Sequence, residues 1–309
     1  MVQENSLKKI LVVCGPTGSG KSALSVELAL KYGGEVISAD SVAIYKDLDV
    51  GSAKPEIGEM KGVKHHMIDV VCPFDEFSVS DYEKMALPIV DDILSRGKLP
   101  IVCGGTGFYI NSLLYKMSYG KAKGDEQIRF KYQQMANEQG NSAVFEVLKE
   151  KDPETAQILH ENDLVRVIRA LEIVESTGVK KSDIIDEKTP RFDFISIMTD
   201  MPRDLLYDRI NRRVDVMVEK GIEDEVKGLI SKGVTIQNQC MQGIGYKEVY
   251  GSIVNGEPFP SELVKMNSRR YAKRQITFFK RNENLVKYNP LEVCEFEKLC
   301  KIIDNFLKN

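Results

Sequence analysis

The chain has six cysteines, at 14, 72, 103, 240, 294 and 300, but no CxxC pair, and none lies at zinc-finger spacing from His65, His66 or His160. That pattern speaks against structural zinc and against a disulfide framework, and points to buried or idle thiols in a reducing compartment. His65 and His66 are adjacent without a carboxylate cluster beside them. Such a pair is a poor donor set for one ion, and "HHMID" reads instead as the start of a strand. No apolar run approaches the roughly 20 residues of a membrane span. The amino-terminal "MVQENSLKKILVVC" lacks the apolar core and cleavage site of a signal peptide. A cytoplasmic chain without a membrane partner is therefore expected. With 43 Lys and Arg against 46 Asp and Glu, the net charge of −3 excludes a polycation. A nucleic-acid partner would have to be held by a local basic face. Residues 265–287, "KMNSRRYAKRQITFFKRNENLVK", are the one candidate, with eight Lys or Arg against one Glu.

What is present is a globular balance, 42% apolar and 29% charged over 309 residues, enough for about two domains. "KKILVVC" (8–14) is apolar and β-branched and reads as a strand. "KSALSVELALKYG" then places apolar residues at helical spacing and is stopped by Gly33 and Gly34, and "EVISA" is a second strand ending at Asp40. Strand, glycine loop, helix, strand is the opening of a parallel α/β sheet. "PIVCGGTGFYI" (100–110) repeats the theme, and "DFISIMTD" (193–200) is a further core strand. Between them, 113–190 is helical and charged. The expected division is a core of 1–112 and 191–309 carrying a helical insertion domain at 113–190. Residues 203–287 read as helical, with a terminal helix after a looser link.

Gly15-Pro16-Thr17-Gly18-Ser19-Gly20-Lys21-Ser22 fits G-x-x-x-x-G-K-[ST] in full, after a strand and before a helix. The glycines let several backbone N–H groups converge on one anion, and the helix N-terminus adds positive potential. Lys21 supplies a full charge, and the Ser22 hydroxyl is a candidate Mg²⁺ ligand. The fold expected is a P-loop NTPase-like α/β core with a mostly parallel sheet. A triphosphatase also needs a carboxylate at the end of a second apolar strand. The strand "IVCGGTG" ends without one, whereas Asp40 in "SADS" ends the early strand and Asp200 sits in a turn before a helix. The triphosphatase reading is weakened. A carboxylate across from a phosphate cradle can instead take a proton from an acceptor, although small-molecule kinases use that arrangement too.

Several further blocks carry a resemblance. "GPTGSGKSALSVELA", "EVISADSVAIYKDLDVGSAKP", "VKHHMIDV", "PIVCGGTGFYI", "HENDLVRVIRALE", "QGIGYKEV" and "YAKRQITFFKR" follow in order over about residues 8–285. On these motifs the sequence resembles the tRNA dimethylallyltransferases, also called tRNA isopentenyltransferases. The phosphate loop is widespread; the "ADSVAIYKDLDVGSAKP" and "HENDLVRVIRALE" blocks are far more specific. The resemblance implies transfer of a dimethylallyl group from dimethylallyl diphosphate to N6 of the adenosine 3′ to the anticodon (position 37), giving N6-isopentenyladenosine and diphosphate. It also implies a loop that holds the departing diphosphate, a Mg²⁺ cofactor, and the anticodon stem-loop of tRNA as partner; a monomer is expected, although the sequence does not reveal the oligomeric state. Asp40 matches the general base, and Thr17 and Arg213 match groups touching the diphosphate. Contacts to tRNA fall on Asp40, Ser41, Val42, Ala43, Thr106, Arg129, Arg166, Arg169, Gly245, Tyr246 and Lys247.

Plainer roles compete at each position. By local sequence Asp40 is a turn or N-cap aspartate, Arg213 a solvated helix charge, Arg166 and Arg169 a helix-surface pair, and Phe278 and Phe279 core rings. The sequence has no Trp, and Phe278 stands where many members carry one. An adenylate isopentenyltransferase, a small-molecule P-loop kinase and a non-catalytic RNA-binding module are the alternatives. The basic 265–287 face and the long insertion favour tRNA over a free nucleotide.

Overall fold

The computed structural model describes residues 7–117, 124–184, 189–282 and 284–309. They form two compact units, Met1–Tyr115 with Pro190–Asn309, and Lys116–Thr189. The first unit starts with β1 (Lys9–Cys14), α1 (Lys21–Tyr32), β2 (Gly34–Ala39), the single turn α2 (Ile57–Met60), β3 (His65–His66), α3 (Val79–Ser95), β4 (Leu99–Gly104) and α4 (Gly107–Leu114). The second unit holds α5 (Glu126–Gln139), α6 (Asn141–Lys151), α7 (Pro153–Ile158) and α8 (Leu164–Thr177). The chain then re-enters the first unit with β5 (Asp193–Thr199), α9 (Arg203–Glu219), α10 (Ile222–Ser231), α11 (Tyr246–Asn255), α12 (Ser261–Phe279), β6 (Leu285–Tyr288) and α13 (Glu295–Lys308).

The strands form one sheet in the order β3-β2-β4-β1-β5-β6, and every pairing is parallel. The α/β class with a parallel sheet is thus as the sequence predicts. Because β1 is central, its apolar run is buried on both faces. Ile10, Val12 and Cys14 enter one core, with Tyr82, Val90 and Tyr109, while Leu11 and Val13 enter another, with Leu24, Leu28 and Leu299. That split is the two-residue side-chain period of a strand. The helices of the second unit close over a core of their own, built on Tyr132, Val144, Leu148, Val167 and Leu171.

Two elements differ from the sequence reading. Gly34 does not stop α1 but opens β2; a Cβ there would lie 2.7 Å from the Leu99 carbonyl oxygen, so only glycine allows β2 and β4 to pair this closely. Residues 285–288, read as helix or link, are the edge strand β6, paired with Ser196–Thr199 of β5. Four residues are too few for periodicity to reveal, and the partner strand decides their conformation.

A parallel sheet gathers the carboxyl ends of its strands on one side, and ligands of such sheets bind there, where the strand order reverses. Here the ends of β1, β2 and β4 lead into the phosphate loop, Asp40 and Gly105-Thr106. Gly104 ends β4 so close to β2 that a Cβ would sit 2.1 Å from the Ala39 carbonyl oxygen.

Candidate active site

The phosphate loop is shaped by what a side chain would hit. Gly15 has φ of 139°, and a Cβ would lie 2.5 Å from Thr199 Oγ1, at the end of β5. The buried Ser19 hydroxyl donates to the Pro16 carbonyl at 2.7 Å, and so does Lys21 Nζ at 2.7 Å. Gly20 caps α1 in the left-handed region at φ of 89° with no side-chain hydrogen bond to the helix. The first-turn N–H groups therefore keep their capacity for an anion. Ser22 is exposed and Lys21 half-buried.

The loop is clamped from α12. Gln275 is buried; its Oε1 accepts from the Thr17 N–H at 2.9 Å and its Nε2 donates to the Gly105 carbonyl at 3.0 Å. One amide thus ties the phosphate loop to the loop after β4.

Asp40 follows β2 directly. Its Oδ1 accepts from the N–H groups of Val42 (2.9 Å) and Ala43 (3.1 Å). The turn-aspartate reading is therefore correct as far as Oδ1 goes. Among the described residues nothing donates to Oδ2, so one carboxylate oxygen is fixed and the other is available. Beside it, Thr106 Oγ1 accepts from the Ser41 N–H at 3.1 Å.

Arg213, on α9, donates from Nη2 to the Ser52 carbonyl at 2.8 Å. Burial pushes the Arg213 guanidinium down from its ordinary value, against the pull of Asp40 and Glu59. Burial likewise lowers Lys21, and the charge of Arg213 adds to that effect while Cys103 and Asp40 oppose it. Two partly desolvated cations held near each other are most stable with an anion between them.

Three cavities meet at these groups, and Arg213 lines all of them. The smallest, of about 110 Å³, includes Thr17, Lys21, Ser22, Asp40 and Tyr271 in its wall. A second, of about 280 Å³, is lined by Asp40, Ser41, Gly243, Ser268 and Arg274 among others. The largest, of about 520 Å³, has Ala23, Val26, Val50, Val216 and Met217 as its apolar wall and Lys54, Lys61 and Lys220 as cations. Thr17, Ser22, Asp40 and Arg213 are therefore brought together.

The expected RNA-contacting residues separate into groups. Ser41 and Val42 line the second cavity and Ala43 the smallest. Thr106 is half-buried against Ser41, Gly245 starts α11 at φ of 95°, and Lys247 is exposed. Tyr246 is a correction. Its ring is fully buried, and its hydroxyl donates to Glu225 Oε1 at 2.6 Å and accepts from the Ser52 N–H at 3.1 Å. A side chain so enclosed props the backbone and offers no face to RNA. Within the second unit, the buried Glu172 pairs with Arg129 at 2.8 Å and also with Arg169, and the exposed Arg166 pairs with Asp163 at 3.2 Å.

Sequence reasoning missed Tyr271 and Gln275 as site residues. Burial, and then the Asp40 charge, push the Tyr271 hydroxyl up to about 12. The signal was there in the spacing: Ser268, Tyr271 and Arg274 or Gln275 recur every three to four residues and share one face of α12. The basic stretch is also less uniform than its composition suggests. Lys265 pairs with Asp215 at 2.7 Å and Arg269 donates to Asn211 at 2.6 Å, whereas Arg270, Lys273 and Arg274 are exposed. Phe279 is buried and Phe278 packs edge-on against it, with centroids 5.4 Å apart, so both are packing rings.

A family model described as IPP transferase matches residues 43–282. The chain belongs to the IPP transferase family. A tRNA dimethylallyltransferase of Acetivibrio thermocellus is 45% identical over 308 residues, covering 97% of this chain and 98% of the relative. One of Bacillus cytotoxicus is 42% identical, with 98% and 96% covered. The crystal structure of a full-length tRNA isopentenylpyrophosphate transferase from Bacillus halodurans aligns with a TM-score of 0.72 at 38% identity, covering 97% of each chain. A eukaryotic dimethylallyltransferase, captured acting on tRNA, aligns with a TM-score of 0.81 at 31% identity, covering 98% of this chain and 80% of its own. Within this IPP transferase, the phosphate loop and Asp40 precede the segment the family model matches, whereas the relatives above cover nearly the whole chain.

Proposed function

We propose that this chain transfers the dimethylallyl group of dimethylallyl diphosphate to N6 of the adenosine 3′ to the anticodon of tRNA. The observation that carries this reading is the smallest cavity, where the phosphate-loop cation Lys21, Arg213 and the carboxylate Asp40 share one wall. The diphosphate sits in the phosphate loop against Lys21, Arg213 and Thr17. The five-carbon group reaches toward Asp40, with the apolar wall of the largest cavity on the donor side and the second cavity on the base side.

The allylic C–O bond breaks and its electron pair leaves with the diphosphate. Negative charge grows there, and pre-aimed N–H groups, Lys21 and Arg213 stabilise it without reorganising. N6 forms a bond to the freed carbon, and its proton passes to Asp40 Oδ2. Oδ1 stays on the Val42 and Ala43 N–H groups, which fixes the carboxylate's orientation. Positioned proton removal of this kind contributes about 10²–10⁴-fold. Ser22 supplies a hard oxygen of the type Mg²⁺ takes alongside substrate phosphates and water. When bound, the ion neutralises charge on the diphosphate.

The adenosine must leave its stack, at a cost of a few kcal/mol that is lowest in a single-stranded loop. Ser41, Val42, Thr106 and the Gly243–Gly245 segment frame the place it would enter. The exposed Arg270, Lys273 and Arg274 suit the phosphate backbone.

The test is incubation with labelled dimethylallyl diphosphate, Mg²⁺ and unmodified tRNA, followed by mass spectrometry of the nucleosides. Adenosine heavier by one isopentenyl group is expected. Prenylation of free AMP or ATP as fast as of tRNA would overturn the RNA substrate, and release of γ-phosphate from ATP without any prenylated nucleoside would overturn the reaction.

A further inference from the structure

Besides its own backbone bonds and those of Ser52 and Lys54, the turn 49–52 is bound by a carboxylate distant in sequence. Glu225, in the first turn of α10, accepts from the N–H groups of Asp49 (Oε2, 2.7 Å), Val50 (Oε2, 2.7 Å) and Gly51 (Oε1, 3.1 Å). The Tyr246 hydroxyl adds a fourth bond to the carboxylate and takes up the Ser52 N–H. Four successive amides are thus satisfied by one carboxylate and the phenol it holds. Gly51 lies so close to the Tyr246 ring that a Cβ would sit 2.6 Å from it, so the turn is seated on the ring as well.

The carbonyl of this turn, at Ser52, is the hydrogen-bond acceptor for Arg213 Nη2. Residues of the strap 49–55 also enter the walls of all three cavities. We propose that Glu225 is a positioning residue: by fixing the 49–52 turn it sets the Ser52 carbonyl that aims the Arg213 guanidinium at the diphosphate. Charged acceptors make the stronger amide bonds, and an ionised carboxylate can accept at all four lone-pair sites. A neutral amide cannot replace it, because its NH₂ would face N–H donors. The inference rests on the prenyl-transfer reading only for the reaction that Arg213 serves.

The test is a double-mutant cycle with two readouts, binding of inorganic diphosphate with Mg²⁺ by calorimetry and steady-state prenyl transfer. Glu225→Gln is expected to weaken diphosphate binding about tenfold and to lower kcat by a similar factor, with the KM for tRNA within about twofold. On an Arg213→Ala background, Glu225→Gln is expected to cost nothing further in either readout. A residue that only stabilised the fold would lower both backgrounds alike, so additive losses overturn the proposal, as does a Glu225→Gln enzyme equal to wild type. If Glu225→Gln does not fold, Tyr246→Phe, which keeps the ring and the carboxylate, decides on the same cycle: coupling to Arg213 supports the proposal and additivity overturns it. Coupled diphosphate binding in a protein that prenylates no RNA supports the positioning while removing the reaction, so the two failures are distinguishable.

Discussion

At the residue scale, Asp40 shows how one side chain can answer to two descriptions. Its Oδ1 builds a local turn and its Oδ2 is left for chemistry. Asp40→Asn keeps the oxygen that the turn uses and removes only the proton acceptor. Turnover at saturating substrate is expected to fall by about 10²-fold or more, with tRNA affinity unchanged; an Asn variant within threefold of wild type would show that another group takes the proton. Lys21 and Arg213 give a second expectation. Since burial lowers both and an anion relieves it, Lys21→Met should weaken diphosphate binding by about tenfold or more, at ~1.4 kcal/mol per factor of ten, while the thermal midpoint of the ligand-free protein holds or rises. A midpoint that drops sharply would mean that Lys21 is chiefly a structural partner of Pro16.

At the element scale, the buried strands and the loop-to-helix joins were legible in the sequence, because burial on both faces demands continuous apolar runs and the phosphate loop demands its glycines. The edge strand β6 was not, nor was the job of Glu225. Its partners lie 174–176 residues away in sequence, so no local pattern links them. Tyr246 was placed among the RNA contacts by the resemblance of its motif, and its burial against Glu225 depends on elements distant in sequence. In the second unit, α8 is pinned to α5 and α6 through Glu175, which accepts from Tyr132 at 2.6 Å and pairs with Lys151 at 2.5 Å and Lys131 at 3.2 Å. Burial alone would raise the Glu175 carboxyl, but these three partners outweigh it and hold it at about 2, below the ordinary 4.5. A depressed carboxyl contributes stability that is fully present above its ordinary value and is lost as pH falls through the folded one. Protection of the α8 amides, relative to their intrinsic exchange rate at each pH, should therefore fall between pH 4.5 and 2 in the wild type, and Glu175→Gln should flatten that dependence. Equal pH slopes for the two proteins would remove Glu175 as its source.

At the scale of the whole molecule, a net charge of −3 coexists with an exposed basic run on α12. Affinity for tRNA should fall steeply between about 50 and 200 mM salt, since each phosphate neutralised releases counterions. Replacing Arg270, Lys273 and Arg274 by Gln should make the slope of log K against log salt shallower by about two units, measured by filter binding. Replacing Arg269 should change it little, because Asn211 already engages that guanidinium. An unaltered slope in the triple variant would place the RNA elsewhere.

The sheet order also carries a consequence for how the protein is made. The central strand β1 lies between β4 and β5, and Thr199 at the end of β5 is the wall against which Gly15 closes. A ribosome that has released the first 190 residues has delivered every letter of the phosphate loop but not its buttress. The contact of Gly15 with Thr199 can form only after the whole intervening helical unit has been synthesised and the chain has come back beside its own beginning.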